Sequence, residues 1–417
     1  MRFLIPLLAL LPLCLAADPP RPRIHIYDLP PHLTAPCHHW GCRHLEPRLR
    51  ASAYYEPDHR KADFFWIPHR MPFHLDAPDR EKAAGGWARE AYALIASTWP
   101  YLNRSIAARQ VRHFITQSCD HGPSDCDYVP QPIALGALPA FYNPADPARV
   151  IGHIVFNGRR DGADAGQPVC YVCFQKHKDI QMAADQGSCG PLCGYNLTVM
   201  RQHTAWSVDP ATRGRTPVFA APRPVTFFYA GTITLARGPL DATGRDQLLL
   251  FHGNRSGFRV VNTNARLAGG GPPPRLNFAE EMAAAEFCYS PFGQSEGETD
   301  RYVAAVMMGC IPVLLTTSRY NGSEVPVAQA YDEVLNWRAF AVLLKLSDLP
   351  RLHDHLAMIT PEKRHQMRVM LSANWQRLLY SSMYGSYLGE PAGDGDFDAF
   401  EAMIEVMRRR LHTLPAW

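Results

Sequence analysis

The sequence predicts an α/β fold in which two domains follow each other along the chain. The 417-residue chain is longer than one ordinary hydrophobic core supports, which indicates two domains of roughly 150–200 residues each. Short apolar runs alternate with segments of helical periodicity, the pattern of a parallel sheet covered by helices. The hydrophobic fraction of 47% and the aromatic fraction of 11% are typical of a packed globular protein.

The first half of the chain contains four apolar runs that predict buried strands, at residues 24–27, 62–68, 111–116 and 148–156. Between Glu81 and Trp99 apolar residues recur at helical spacing, which predicts a helix. From Gly158 to Pro224 the chain is rich in cysteine, glycine and proline and shows little periodicity. We expect this segment to be an excursion stapled by disulfides.

The alternation resumes in the second half, with predicted strands at 225–229, 287–291, 311–315 and 339–344. Predicted helices cover 278–286, 301–308, 349–359, 361–380 and 397–411. Open parallel sheets bind ligands at the carboxyl ends of their strands. The strand ends YAG at 229–231 and YSPFG at 289–293 are therefore candidate binding elements, and a cleft between the two domains is the expected site.

The charge pattern predicts that the protein has no nucleic-acid partner. The net charge is +3, and no run of lysine and arginine has the density that such binding requires.

The first 17 residues have the pattern of a secretory signal. Arg2 is a short positive region, Phe3 to Leu15 is apolar, and small residues follow. Because a spanning helix needs about 20 apolar residues, this pattern favours a cleaved signal over a short signal-anchor, and both remain open. The expected location is the lumen of the secretory pathway or outside the cell.

The cysteines and sequons suit that compartment. Ten of the eleven cysteines lie beyond the signal. Four disulfide candidates form two close pairs, and four more form a C-x2-C-x15-C-x3-C pattern that would suggest zinc in a cytosolic protein but favours two disulfides in an oxidising lumen. The eight are Cys37, Cys42, Cys119, Cys126, Cys170, Cys173, Cys189 and Cys193. Cys288 and Cys310 are expected to be buried free thiols. Candidate glycosylation sites are Asn103, Asn196, Asn254 and Asn321.

Several motifs occur in an order that resembles the exostosin-type glycosyltransferases, glycosyltransferase family 47. The most specific are FCYSPFG, then an arginine separated by seven residues from GCIPV, then EVLNW followed three residues later by AV. The resemblance covers roughly residues 24–380. It implies a GT-B architecture, in which two Rossmann-like domains face each other across a cleft. The expected boundaries are 1–17 for the signal, 18–220 for the acceptor-side domain, 221–380 for the nucleotide-sugar-binding domain and 381–417 for a tail with a helix.

The resemblance also implies an activity and a location. Family members transfer a sugar with inversion from a nucleotide sugar, usually UDP-linked, to a glycan or glycoprotein in the Golgi. The nucleotide sugar is then a co-substrate, and no bound cofactor is expected. Other transferases are possible partners in a homo- or hetero-oligomer.

The donor-binding residues are expected in the second domain. Arg301 matches the family arginine at the start of a helix, where a cation suits a diphosphate; the alternative is a surface ion pair with Glu298 or Asp300. The further candidates lie at strand ends, in the loop before Arg301 or after a glycine-rich segment, and are Ser290, Pro291, Gly293, Gly231, Arg245, Glu298 and Asp300. MMGCIPV is expected to return the chain beside the donor pocket through Gly309 and Pro312, although core packing is favoured for Cys310 and Val313.

The general base is expected in the first domain, where the acceptor would enter. Asp179 and His69 are the candidates, with Asp120 and His121 as alternatives. Asp28 is expected to shape a turn. No DxD or HExxH motif occurs in a suitable context, so we expect no obligatory metal.

Two rival functions remain open. Many family members carry a glutamate where this chain has Ala304, which leaves room for an inactive lectin-like or scaffold protein that partners an active transferase. The other rival, a secreted glycoside hydrolase, requires paired carboxylates that the sequence does not nominate.

Overall fold

The protein, described by a computed structural model, contains two five-stranded parallel sheets and one short antiparallel hairpin. The structure describes residues 21–34, 40–68, 90–117, 150–155, 180–182, 222–233, 244–263, 276–291, 301–320, 323–378 and 398–415. The signal-like first 17 residues lie outside these ranges. No helix in the described ranges is both long and apolar enough to cross a bilayer.

The first sheet is formed by strands that are neighbours in sequence order, β1-β2-β3-β4-β5. Its strands are β1 (Ile24–Ile26), β2 (Phe64–Ile67), β3 (His113–Gln117), β4 (Ile151–Val155) and β5 (Ile180–Gln181). Every residue of β1 and β2 is buried, as expected for parallel strands covered on both faces. Among the described residues of this half, the helices are α1 (Trp40–Ala51), α2 (residues 90–98) and α3 (Tyr101–Ala108).

The second sheet has the strand order β12-β9-β8-β6-β7. Its strands are β6 (Val225–Gly231), β7 (Phe258–Asn262), β8 (Ala285–Ser290), β9 (Ile311–Leu315) and β12 (Val342–Leu344). The chain places β7 on one side of β6 and β8 on the other, so the direction of winding reverses between β6 and β8. This is the 2-1-3-4-5 order of a doubly wound sheet.

The described residues of the second half contain six helices, and short 3-10 segments connect several of them. The helices are α4 (Arg245–His252), α5 (Phe278–Ala284), α6 (Arg301–Met307), α7 (Leu352–Ala357), α8 (Pro361–Asn374) and α9 (Ala399–Thr413). Side chains of Asn277, Thr360 and Asp398 accept hydrogen bonds from backbone N–H groups at the starts of α5, α8 and α9, which explains where these helices begin. The antiparallel hairpin joins β10 (Thr317–Tyr320) to β11 (Ser323–Pro326).

The last helix packs against residues of the first half of the chain. The Tyr54 hydroxyl donates to Glu401 Oε2 at 2.7 Å, and the guanidinium of Arg48 lies over the Phe400 ring at 5.2 Å. One apolar core cluster includes side chains of both sheets together with those of α9. The C-terminal helix therefore links the two halves through buried contacts.

The predicted α/β fold class of GT-B type is confirmed in its two Rossmann-like parallel sheets. The sheets fall within the two predicted domains, but the domain boundaries themselves stay predictions. The predicted strand over 339–344 is wrong in its first three residues, because Trp337–Ala339 forms a 3-10 turn and the strand begins at Val342. The sequence analysis did not predict α1, α3, α4, β5, β7 or the hairpin.

The predicted place of MMGCIPV beside the donor pocket is wrong. Gly309 has φ +66° and closes α6: its N–H donates to Val306 O, and Cys310 N–H donates to Ala305 O. This pair of bonds is the Schellman motif, in which glycine is favoured because of its positive φ. Arg223, just before β6, donates to the carbonyl oxygens of Ala285 and Met308, so this turn lies at the amino-terminal edge of the sheet.

The expectation of free thiols at Cys288 and Cys310 is also wrong, because the two residues form a disulfide with a Cα–Cα distance of 5.8 Å. Cys288 lies in β8 and Cys310 directly precedes β9, its neighbour in the sheet. Both cysteines are buried. The bond covalently closes the β8–α6–β9 unit.

Candidate functional site

The strand-order reversal in the second sheet identifies the most suitable place for a ligand. Crossovers leave opposite faces of the sheet at a reversal, which opens a crevice at the carboxyl ends of the two central strands. Here those strands are β6, which ends at Gly231, and β8, which ends at Ser290. Within the part of the chain that the structure describes, the first sheet has no such reversal.

Three residues meet closely at this edge. Arg301 begins α6, and its guanidinium carbon lies 5.7 Å from the centre of the Tyr229 ring. This distance is within the range of a cation–π contact. A Cβ placed on Gly231 would lie 2.5 Å from the Tyr229 hydroxyl oxygen and 3.1 Å from Arg301 Nη2. Only glycine fits at position 231 without displacing one of these groups.

A second arginine lies on the other side of β6. Arg245 begins α4 and is 5% exposed, and its Nη1 donates to the carbonyl oxygen of Thr232 at 3.3 Å. Gly244 precedes it with φ +64°, and a Cβ there would lie 2.1 Å from a methyl carbon of Leu349. The turn at Gly244 thus packs closely against Leu349, and the Arg245 side chain reaches the end of β6.

Two buried tyrosines, Tyr229 and Tyr289, lie between these arginines. The rings of Tyr229 and Tyr289 meet edge to face at 5.6 Å. Burial raises the pKa of Tyr289 well above its ordinary value, the neighbouring Tyr229 adds to the rise, and Arg245 opposes it. The Tyr289 phenol is therefore neutral near pH 7. Ser290 is buried directly after it, at the end of β8.

The arrangement is chemically suited to an anion. Two arginines, Arg301 and Arg245, flank the strand ends. Guanidinium groups bind phosphate in a forked geometry. The structure thus brings together five of the predicted donor-binding residues: Arg301, Arg245, Gly231, Ser290 and Pro291.

The other predicted site residues lie outside the described ranges. They are Gly293, Glu298 and Asp300 for the donor, and His69, Asp179, Asp120 and His121 for the general base. Their roles stay predictions. Asp28 is exposed after β1. Ala304 is fully buried in the apolar core cluster.

Sequence reasoning missed Tyr229 as a site residue. The strand end YAG was a candidate binding element, but only Gly231 of it was named as a donor-binding residue, although a tyrosine immediately before Ala-Gly at the carboxyl end of that strand brings a hydroxyl group to the sheet edge. Gly244 was missed as well. Its signal is weak, because Thr-Gly-Arg occurs in a stretch without periodicity.

A cavity of about 520 Å³ lies elsewhere, between β9, β12 and the C-terminal end of α9. Its wall includes Gln329, Asp332, Glu333, Arg338 and Arg409. None of the predicted donor-binding residues lines it. We place the candidate site at the strand-order reversal because the arginines, the glycine contact and the strand ends coincide there.

The remaining predicted sites are only partly within the described residues. Asn103 and Asn254 are exposed, whereas Asn196 and Asn321 lie outside. Of the eight disulfide candidates only Cys42 falls in a described element, α1, and its side chain is not described. Among the described residues, no group of three histidine, cysteine, aspartate or glutamate side chains could hold a metal ion. Independence of metal stays a prediction.

Comparison with known proteins identifies glycosyltransferases among the similar sequences. The chain is 26% identical over 274 residues to a protein of Arabidopsis thaliana named a probable glycosyltransferase; the match covers 66% of this chain and 39% of that protein. It is 26% identical over 136 residues to a protein of Oryza sativa subsp. japonica named a probable glucuronosyltransferase, with 32% of this chain and 28% of that protein covered. The chain thus spans well under half the length of these relatives. No protein-family model matches the chain.

Solved structures also align with the chain, at low scores. Anabaena Alr3699/HepE, in complex with UDP-glucose, is 11% identical, covers 94% of this chain and all of its own, and gives a TM-score of 0.34. The spinosyn rhamnosyltransferase SpnG, complexed with thymidine diphosphate, is 12% identical, covers 94% of this chain and 97% of its own, and gives a TM-score of 0.24. Scores this low support no argument about this protein.

Proposed function

We propose that the protein is a glycosyltransferase that takes a sugar from a nucleotide-sugar donor, UDP-linked by preference. The observation that carries the proposal is the convergence of Arg301, Tyr229 and Gly231 at the strand-order reversal of a parallel sheet. Such an edge is where open α/β sheets bind nucleotides. The sequence relatives named as glycosyltransferases support the reaction class.

The geometry suits the departure of a nucleoside diphosphate. As the bond between the sugar and the diphosphate breaks, negative charge develops on the leaving oxygen. The Arg301 guanidinium can stabilise this charge, and the buried surroundings strengthen the interaction because they exclude water. In this proposal transfer proceeds with inversion, and the base that deprotonates the acceptor hydroxyl is Asp179 or His69.

The acceptor and the location belong to the same proposal. A glycan or a glycoprotein is the acceptor, and the reaction takes place in the Golgi or elsewhere in the secretory pathway. The signal-like N-terminus, the sequons and the resemblance to family 47 support this location. The buried Cys288–Cys310 disulfide agrees with an oxidising compartment.

The second candidate function is an inactive, lectin-like or scaffold partner of an active transferase. Ala304, which replaces the glutamate of many family members, favours it. Such a protein could bind a nucleotide and still transfer no sugar to any acceptor.

Nucleotide binding followed by an acceptor screen separates these alternatives from each other. We would titrate the secreted protein with UDP, GDP, ADP and a set of UDP-sugars by calorimetry, beside the variants Arg301→Ala and Arg338→Ala. Arg338 is the matched control because it is an exposed arginine at the separate cavity. Binding that is lost only in Arg301→Ala supports the donor site. Transfer of the sugar to an acceptor in a subsequent screen then supports the transferase. A folded sample that binds no nucleotide would contradict the proposal.

A further inference from the structure

We infer that the Tyr229 hydroxyl group is a second phosphate-binding donor, which acts together with Arg301 on one oxygen of the donor's diphosphate. The inference rests on the proposed function and adds a residue that the sequence reasoning did not include. It assigns the diphosphate to one position, beside Gly231 at the carboxyl end of β6.

The Tyr229 hydroxyl group is buried in a state that costs stability. Tyr229 is 1% exposed, and among the residues that the structure describes its oxygen has no hydrogen-bond partner. A buried hydroxyl without a partner costs the protein about 1–3 kcal/mol of stability. Phenylalanine would avoid this cost and fill the same space. A tyrosine here is therefore explained if the hydroxyl group has a ligand to bind.

The Tyr229 hydroxyl group points toward Gly231 and Arg301. The oxygen lies 2.5 Å from the point where a Cβ on Gly231 would stand, and Arg301 Nη2 lies 3.1 Å from the same point. Tyr229 packs in the core cluster on one face of the sheet, with Leu248 of α4. The helix that begins at Arg301 packs in the cluster on the other face. The two donors thus meet at the carboxyl edge, where the crevice opens.

The Tyr229 hydroxyl group and the Arg301 guanidinium together suit an anionic hydrogen-bond acceptor. A phenol O–H and a guanidinium N–H both donate hydrogen bonds, so together they suit an atom that only accepts. A carbonyl oxygen would accept such bonds too, but the positive charge favours an anionic oxygen. The missing side chain of Gly231 leaves room for the Tyr229 hydroxyl group and the Arg301 guanidinium to lie close together, so one phosphate oxygen can accept from both groups.

The experiment removes the hydroxyl group alone. Tyr229→Phe and the control Tyr302→Phe each delete one buried hydroxyl; Tyr302 is fully buried in the other cluster, against Trp337. The wild type and both variants would be titrated with UDP, inorganic pyrophosphate and uridine, and their unfolding free energies measured. We expect Tyr229→Phe to weaken UDP and pyrophosphate binding roughly tenfold to a hundredfold and to leave uridine binding unchanged. We expect its stability to stay equal or rise.

The outcomes separate the two claims. If the wild type binds UDP and Tyr229→Phe binds it equally well, the role of the hydroxyl group is refuted while the donor site stands. If Tyr229→Phe weakens uridine as much as UDP, the hydroxyl group faces the nucleoside and the assignment to the diphosphate is wrong. If the folded wild type binds neither UDP nor pyrophosphate, both the donor site and this inference fail.

Discussion

At the scale of single residues, two positions carry tasks that their surroundings impose. Gly231 leaves the space in which Tyr229 and Arg301 approach each other. His113 lies fully buried in the first sheet, between the hydroxyl groups of Tyr27 at 2.8 Å and Ser105 at 3.1 Å. One position serves the candidate site and the other serves the core, so their variants should behave differently.

Gly231→Ala should abolish donor binding at a moderate cost in stability. The added methyl group would stand 2.5 Å from the Tyr229 hydroxyl oxygen, so the tyrosine ring or Arg301 must move. Overpacking of this kind costs about 1–3 kcal/mol. Calorimetry with UDP and urea denaturation measure the two effects. Unchanged UDP affinity in a folded variant would contradict the placement of the site.

His113 should make the protein less stable at mildly acid pH. Burial lowers its pKa from 6.5 to about 3, and the charge of Arg112 adds to the decrease. Between these two values the unfolded chain binds a proton that the native protein does not. The unfolding free energy therefore falls as the pH falls below about 6.5, by up to about 1.4 kcal/mol per pH unit.

Urea denaturation between pH 4 and pH 8 tests this prediction. His113→Gln should flatten the pH dependence, because glutamine does not titrate. His32→Gln is the control, since His32 is exposed, and it should keep the wild-type slope. Identical slopes in all three proteins would contradict the assignment to His113.

At the scale of elements, the β8–α6–β9 unit combines the candidate site with its own stabilisation. Its carboxyl edge carries Ser290 and Arg301, and its amino edge is closed by the Gly309 turn and the Cys288–Cys310 disulfide. The two edges are separate, so changes at the amino edge should alter stability without altering ligand binding.

Gly309→Ala tests that separation. A residue with a Cβ costs about 1–2 kcal/mol in the left-handed conformation, and Gly309 has φ +66°. We expect a loss of stability of this size and an unchanged affinity for UDP. A variant that loses UDP binding while it remains folded would place the turn beside the donor after all.

The disulfide should contribute about 3 kcal/mol to stability, because it closes a loop across a sequence separation of 22 residues. The double variant Cys288→Ala/Cys310→Ala, compared with wild type in urea without reductant, measures this contribution. Addition of reductant should reduce the difference between the two proteins. Alkylation of both cysteines in unreduced, denatured protein would show instead that the thiols are free.

The elements also show what sequence can and cannot predict. Strand β9 was predicted with its observed bounds, because five buried apolar residues follow a glycine. The order of the strands in the sheet could not be derived from the sequence, because the pairing of β7 with β6 depends on the tertiary structure. Arg301 was found by resemblance, whereas the Tyr229 hydroxyl group could be given a role only when the structure placed it beside Gly231. Contacts of this kind depend on the tertiary structure.

At the scale of the whole molecule, the winding of the second sheet determines where the candidate site lies. The reversal between β6 and β8 brings the starts of α4 and α6 to one edge, and with them Arg245 and Arg301. Helix α9 then returns to the first half of the chain through Glu401 and Phe400. The fold thus links the candidate donor-binding sheet with the sheet in which the acceptor side is proposed.

Hydrogen–deuterium exchange with and without UDP tests most directly whether the ligand binds at this reversal. The account predicts slower exchange in 229–233, 288–291 and 301–304, and unchanged exchange in 329–338 beside the separate cavity. Protection confined to 329–338 would contradict the central claim, because UDP would then occupy the cavity between β9, β12 and α9.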